Sequence, residues 1–212
     1  MMRHIALLLS LAVCLAGCGQ KQAVREEKAV KKQADQEEKA VSAILKLGGR
    51  VTRDETLPGR PIVEVDLSKT KVTDSDLKDL KEIKGLQRLL LGDTQITDAG
   101  LADLKELKGL QVLWLDKTRI TDAGVKDLKE LKGLQDLSLD NTQITDAGLA
   151  DLKELKGLQM LYLGGTRITD AGLKDLKELK GLQMLCLPGT KISDAGLKEL
   201  KQALPDTTII VP

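Results

Sequence analysis

The sequence predicts an α/β repeat protein built as a stack of strand–turn–helix–turn units, and three observations carry that expectation. A 24-residue period runs through positions 62–205 without slippage. Inside each period the apolar pattern switches from two-residue alternation to three-residue spacing. Leu supplies 41 of the 212 residues, whereas Phe is absent and Trp and Tyr occur once each. Such a chain packs its core from many copies of one mid-sized aliphatic side chain rather than around aromatic anchors. With 42% apolar and 31% charged residues it is not compositionally disordered. A formal charge of +1 gives no basic footprint for nucleic acid.

The first segment, 1–17, reads as a signal peptide. Arg3 and His4 make a short positive start, and 5–17 is an apolar stretch too short for the roughly 20 residues a spanning helix needs. Leu15-Ala16-Gly17-Cys18 resembles the lipobox of bacterial lipoproteins. The resemblance implies cleavage before Cys18, diacylglycerol on its thiol, and a membrane-anchored, extracytoplasmic chain. Two or three acyl chains suffice for durable anchoring. Gly19 in place of Asp resembles lipoproteins sent to the outer membrane. Cys14 leaves with the signal and Cys18 carries lipid. Cys186 is then the remaining thiol and no intramolecular disulfide is expected.

Residues 18–48 read as a lipid-anchored helical tether ending in a cap helix. Positions 20–38 are rich in Lys, Glu, Gln and Ala, which suits a solvated helix or a short coiled-coil contact. Ala40, Val41, Ile44 and Leu45 then form an apolar stripe ended by Gly48-Gly49. The repeat domain is expected over 49–212. Val51 and Ile62-Val63 read as a hairpin-like entry.

Within the repeat domain, the first slot of each unit is Leu86, Leu110, Leu134, Leu158 or Leu182. Positions 3 to 7 alternate, as in Val112-Leu113-Trp114-Leu115-Asp116, which predicts a short strand buried on one face. Position 9 is Thr in six successive units, from Thr70 to Thr190. Its hydroxyl is expected to meet backbone of the adjacent coil and form a ladder. Ile-Thr-Asp-Ala-Gly-Leu follows at 96–101, 144–149 and 168–173, with single changes at Val125 and Ser193. Thr97 or Asp98 offers an N-cap oxygen. Leu101, Leu104 and Leu107 mark a helix over positions 13 to 23, and Gly109 is expected in the left-handed C′ conformation. The burial in one unit falls short of the entropy of ordering it, so neighbouring units must share core and hydrogen bonds. Ile209 and Val211 keep register at the C-terminus and read as a seventh strand closing the stack.

The pattern LxxLxLxxTxITDAGLxxLxxL, six copies over 62–205, resembles the leucine-rich repeat family of bacterial extracytoplasmic proteins. It departs from many members by placing Thr where they carry Asn or Cys. The resemblance implies a curved solenoid, parallel sheet on the concave side and helices on the convex side. It also implies a non-enzymatic monomer that binds a protein or an envelope polymer.

Candidate contacts lie where the frame leaves side chains free to vary. One concave column runs Asp66, Leu90, Trp114, Ser138, Tyr162, Cys186, Ile210; its neighbour runs Glu64, Arg88, Val112, Asp136, Met160, Met184, Thr208. Leu90, Val112, Trp114, Met160, Tyr162 and Met184 are expected to form an exposed apolar strip, the usual mark of a contact. Variation at tolerant surface positions is the alternative. Asp93, Asp116, Asp136 and Asp140 with Asn141 make an acidic patch suited to a basic partner, without the ligand spacing of known calcium loops. Enzyme chemistry is disfavoured because His4 leaves with the signal, removing Ser-His-Asp, Cys-His and the usual zinc sites. No cofactor or small-molecule motif is present. Rival readings are an envelope spacer without a specific ligand and, if the lipobox is accidental, an intracellular adaptor.

Overall fold

The computed structural model describes residues 19–211; the expected signal peptide and Cys18 lie outside the described residues. Helix α1 (Gly19–Lys46) leads into strand β1 (Arg50–Arg53), which pairs antiparallel with β2 (Ile62–Asp66) as a hairpin. From β2 onward every pairing is parallel. The strands are β3 (Arg88–Leu90), β4 (Val112–Trp114), β5 (Asp136–Ser138), β6 (Met160–Tyr162), β7 (Met184–Cys186) and β8 (Thr208–Ile210), ordered β1 to β8 in one sheet. Parallel neighbours pair at the 24-residue offset, Leu89 with Leu113 and Leu113 with Leu137. This is the α/β leucine-rich-repeat solenoid that the family resemblance implied.

Opposite the sheet lie a 3₁₀ helix (Asp74–Glu82), then α2 (Asp98–Leu104), α3 (Asp122–Leu128), α4 (Asp146–Leu152), a 3₁₀ turn (Asp170–Gly172) running into α5 (Leu173–Leu176), and α6 (Asp194–Ala203). The inward Leu of the strands meet the inward Leu of these helices in one continuous core. At its N-terminal end α1 covers that core with Ala40 and Ile44, one helical turn apart; Leu45 points to solvent rather than joining the stripe.

Four expectations are corrected. The α2 helix stops at Leu104, and the rest of the unit is built from turns in which Leu107 N–H donates to Leu104 O and Leu110 N–H to Leu107 O, both at 2.9 Å. A strict three-residue Leu spacing matches the 3.0-residue repeat of such turns better than the 3.6 of an α-helix. Gly109 is not left-handed. It and Gly133, Gly157 and Gly181 stand where coils approach closely: a methyl there would lie 3.2–3.6 Å from a carbonyl oxygen of the preceding coil. The left-handed residues are at position 8 instead, Lys69, Asp93, Lys117, Asn141, Gly165 and Gly189, with φ between 54° and 71°. The position-9 Thr makes no ladder between coils: Thr94, Thr118, Thr142 and Thr166 donate to the carbonyl three residues back in their own turn, at 2.6–2.7 Å. Finally, β8 is the expected seventh parallel strand, but its Ile209 and the adjoining Val211 are only half-buried where they pack against the core.

The inter-coil ladder comes from Asp in the Thr-Asp-Ala-Gly string. Oδ1 of Asp74, Asp98, Asp122 and Asp146 accepts the backbone N–H of Thr97, Thr121, Thr145 and Thr169 at 2.8–2.9 Å. Oδ2 accepts the hydroxyl of the same Thr at 2.6–2.7 Å. Asp170 serves Ser193 alike, and those bonds hold its carboxyl below the ordinary carboxylate range. Each Thr oxygen also caps its own helix, taking the N–H of Ala99, Ala123, Ala147 or Ala171 at 3.2–3.3 Å. The Gly makes room. A methyl on Gly148 would stand 2.5 Å from Asp122 Oδ1.

Gly148→Ala therefore lowers the urea midpoint, although Ala is the better helix former by about 1 kcal/mol. Asp122→Ala, which strands a hydroxyl and an amide, costs about 2 kcal/mol in the same measurement.

Candidate functional site

Adjacent strands of a sheet lie about 4.8 Å apart, so a long side chain at one position reaches over its shorter neighbours. That geometry decides what the sheet face exposes. Trp114, at the end of β4, is 37% exposed and Ile210 is 42% exposed. Leu90, Met160, Tyr162 and Met184 are half-buried. Four residues expected on the open face are buried: Val112 at 9%, Asp136 and Ser138 at 7%, and Cys186 at 9% exposure. The expected strip is thus narrower than the sequence suggested. Its centre is the Trp114 ring, with Tyr162 two coils away beyond buried Ser138.

Trp114 covers Asp136: its Nε1–H donates to Asp136 Oδ1 at 3.4 Å. Burial pushes the Asp136 carboxyl up, against the pull of the Trp114 N–H and of the Arg88 charge. The Tyr162 hydroxyl sits 3.8 Å from the sulfurs of both Met160 and Met184, tying three expected contact residues into one apolar cluster. Burial, followed by the nearby Asp136, raises its phenol. The Cys186 thiol is raised as well, first by burial and then by Asp140, which makes it a poor nucleophile.

Charge divides the face along the stack. At the N-terminal end the acids are paired: Arg50 with Asp66 at 2.5 Å and Arg88 Nε with Glu64 at 2.6 Å. Sequence reasoning missed both pairs, although Glu64 and Arg88 stand 24 residues apart at the same slot, which already places them side by side. At the strand exits Asp116 and Asp140 are half-buried neighbours. Asp140 Oδ1 accepts the N–H of Gly164 at 2.5 Å, while burial foremost, and Asp116 after it, push its carboxyl up. Asp93 and Asn141 are exposed, each in the left-handed turn of its coil, and the Asp93 N–H donates to the Asp116 carbonyl at 2.8 Å. Among the described residues no His, Cys, Asp and Glu cluster could hold a metal ion, and no helix is long and apolar enough to cross a membrane.

Residues 108–168 match the leucine rich repeat family model. Among the solved structures that match is an internalin, inlF, from Listeria monocytogenes, with a TM-score of 0.57 and 24% identity over 66% of this chain and 38% of that one. Another is internalin C2 from the same organism, with a TM-score of 0.54 and 29% identity over 70% of each chain. This chain thus spans well under half of the first and about two thirds of the second. No curated protein matches it.

Because folding raises the Asp136 carboxyl above its unfolded value near 3.8, the folded state holds the proton more tightly, and stability falls as pH rises through that window. Asp136→Asn is expected to melt higher than the parent at pH 7. The advantage disappears below about pH 4, where both side chains are neutral. Thermal unfolding at the two pH values checks this.

Proposed function

Starting from a leucine-rich-repeat fold, we propose that this chain is a lipid-anchored, extracytoplasmic binding protein whose partner is another protein, held on the sheet face around Trp114. The observation that carries the reading is the Trp114 ring. A fold whose core is otherwise aliphatic places its single Trp on the open face, 37% exposed and anchored through Nε1 to Asp136. Rigid, partly exposed aromatics are the side chains that dominate protein contacts. Leu90, Met160, Tyr162 and Met184 extend the apolar centre; Arg88, Asp116 and Asp140 supply polar groups at its margins. Val112, Asp136, Ser138 and Cys186 support that surface from beneath.

Catalysis is not part of the proposal. The described chain has no imidazole, and its raised thiol and carboxyls sit under covering side chains. The anchor rests on Leu15-Ala16-Gly17-Cys18 and on the charged helix α1, which leads from that site to the repeats.

Two outcomes test the reading. Trp114→Ala with Tyr162→Ala weakens affinity for a partner identified by crosslinking by at least about tenfold while leaving the circular dichroism melt nearly unchanged; equal affinity sinks the binding role and favours a spacer. Cys18→Ala moves the chain from the membrane to the soluble fraction, and retention in the membrane removes the lipid anchor.

A further inference from the structure

Two outward-facing polar groups on β5 lack partners. Asp136 and Ser138 flank the inward, fully buried Leu137, so both stand on the sheet face, yet each is only 7% exposed. Asp136 Oδ1 takes the Trp114 Nε1–H at 3.4 Å. Among the described residues nothing donates to Asp136 Oδ2, and the Ser138 hydroxyl has no hydrogen-bond partner. Neither atom is sealed in, because among the described residues no enclosed side-chain oxygen or nitrogen is left unbonded. Buried polar groups are ordinarily paired, so two unpaired acceptors on one short strand point to a donor that the chain does not supply.

The surroundings specify the chemistry of that donor. Ser138 is the short residue between Trp114 and Tyr162 in one column of paired strands. Two strand steps set the flanking residues about 10 Å apart, so a group over Ser138 lies about 5 Å from each. An aromatic face attracts a cation within roughly 6 Å. Both rings are held in place, Trp114 by Asp136 and Tyr162 by the sulfurs of Met160 and Met184. The charge around Ser138 is negative: Asp136 precedes it, Asp140 follows it, and Asp116 stands beside Asp140. Among the described residues none of the three carboxylates is in an ion pair. Arg88, two strands away in the Asp136 column, already gives its Nε to Glu64 at 2.6 Å.

We propose that the step over Ser138 seats one arginine side chain of the protein partner, its guanidinium stacked between Trp114 and Tyr162. One N–H goes to Asp136 Oδ2 and another to the Ser138 hydroxyl, while Asp140 adds charge from the strand exit. A guanidinium suits this place better than an ammonium. It is planar, holds its donors in a fixed fork, stacks on aromatic faces and is weakly hydrated enough to enter a covered position. It carries donors and no acceptor, which matches two unpaired oxygens. An apolar residue seated there would leave both oxygens unpaired and cut off from water. The inference rests on the proposed function and deepens it, because it names the residue type that the Trp114 face receives.

The test titrates an end-blocked Gly-Arg-Gly peptide into the full chain at physiological ionic strength, read by the fluorescence of Trp114, the single Trp of the sequence. Saturable quenching is expected. The same peptide with citrulline, which keeps the shape and loses the charge, or with Lys binds at least about tenfold more weakly. Asp136→Asn weakens the Arg peptide by a similar factor without unfolding, since that variant is expected to melt higher at pH 7. Ser138→Leu fills the step and abolishes the quench. Absence of saturation at millimolar Arg peptide, or equal affinity for the citrulline peptide or for the Asp136→Asn chain, overturns the proposal. So does a crosslinked partner whose affinity falls with Trp114→Ala and Tyr162→Ala but not with Asp136→Asn. That last result removes the arginine seat and leaves the binding role standing, whereas equal partner affinity for the double Ala variant removes both.

Discussion

The structure depends on one repeated interaction, a carboxylate on one coil that accepts both the amide and the hydroxyl of the Thr or Ser on the next. A single coil cannot bury enough to order itself, so its stability is shared with its neighbours. Leu-on-Leu packing supplies most of the driving force, but it is non-directional and would tolerate sliding of one coil over another. The Asp–Thr pair is directional. It fixes each coil against the last to within a hydrogen-bond length, and it holds only if the period stays constant. That explains the Gly two residues after Asp98, Asp122, Asp146, Asp170 and Asp194: any β-carbon there would occupy the space of the preceding carboxylate. Four consecutive residues thus divide the labour of cap, link, surface and clearance.

Fixing the frame frees the sheet face. Because successive strands are held in register, side chains at one slot form a column with constant spacing, and the surface becomes a matter of which neighbour is longer. Trp114 lies over Asp136 and Ser138 is left beneath its neighbours; Tyr162 closes with Met160 and Met184 around its hydroxyl. Burial then raises the carboxyls of Asp136 and Asp140 and the Cys186 thiol, disfavouring their charged forms. The face presents one aromatic centre with paired charges at one end and acids at the strand exits.

Much of this was legible in the chain. The strands and the buried Leu follow from period and alternation, which report directly on which face a side chain must take; their parallel order was what the family resemblance implied. The roles of particular polar residues were not. Thr at position 9 recurs as regularly as the Thr that follows Ile, and recurrence does not say whether a hydroxyl bonds within its turn or across coils; the first does the former, the second the latter. Gly109 has the sequence signature of a helix end, yet the helix has already stopped, and that Gly serves close approach between coils. The burial of Val112, Asp136, Ser138 and Cys186 escaped for a similar reason, since alternation separates inward from outward positions but does not reveal what a neighbouring outward side chain covers.

The sequence by itself determined the fold, because a strict 24-residue spacing of aliphatic residues can satisfy its apolar faces only by stacking identical coils. Tertiary structure alone decided how open each slot is. Leu90, Trp114, Ser138, Tyr162 and Cys186 occupy the same slot of successive coils, yet Trp114 is exposed, Leu90 and Tyr162 are half-buried, and Ser138 and Cys186 are buried. Exposure is a property of neighbours brought together by the fold, and one slot of a constant period therefore holds an open ring in one coil and a covered hydroxyl in the next.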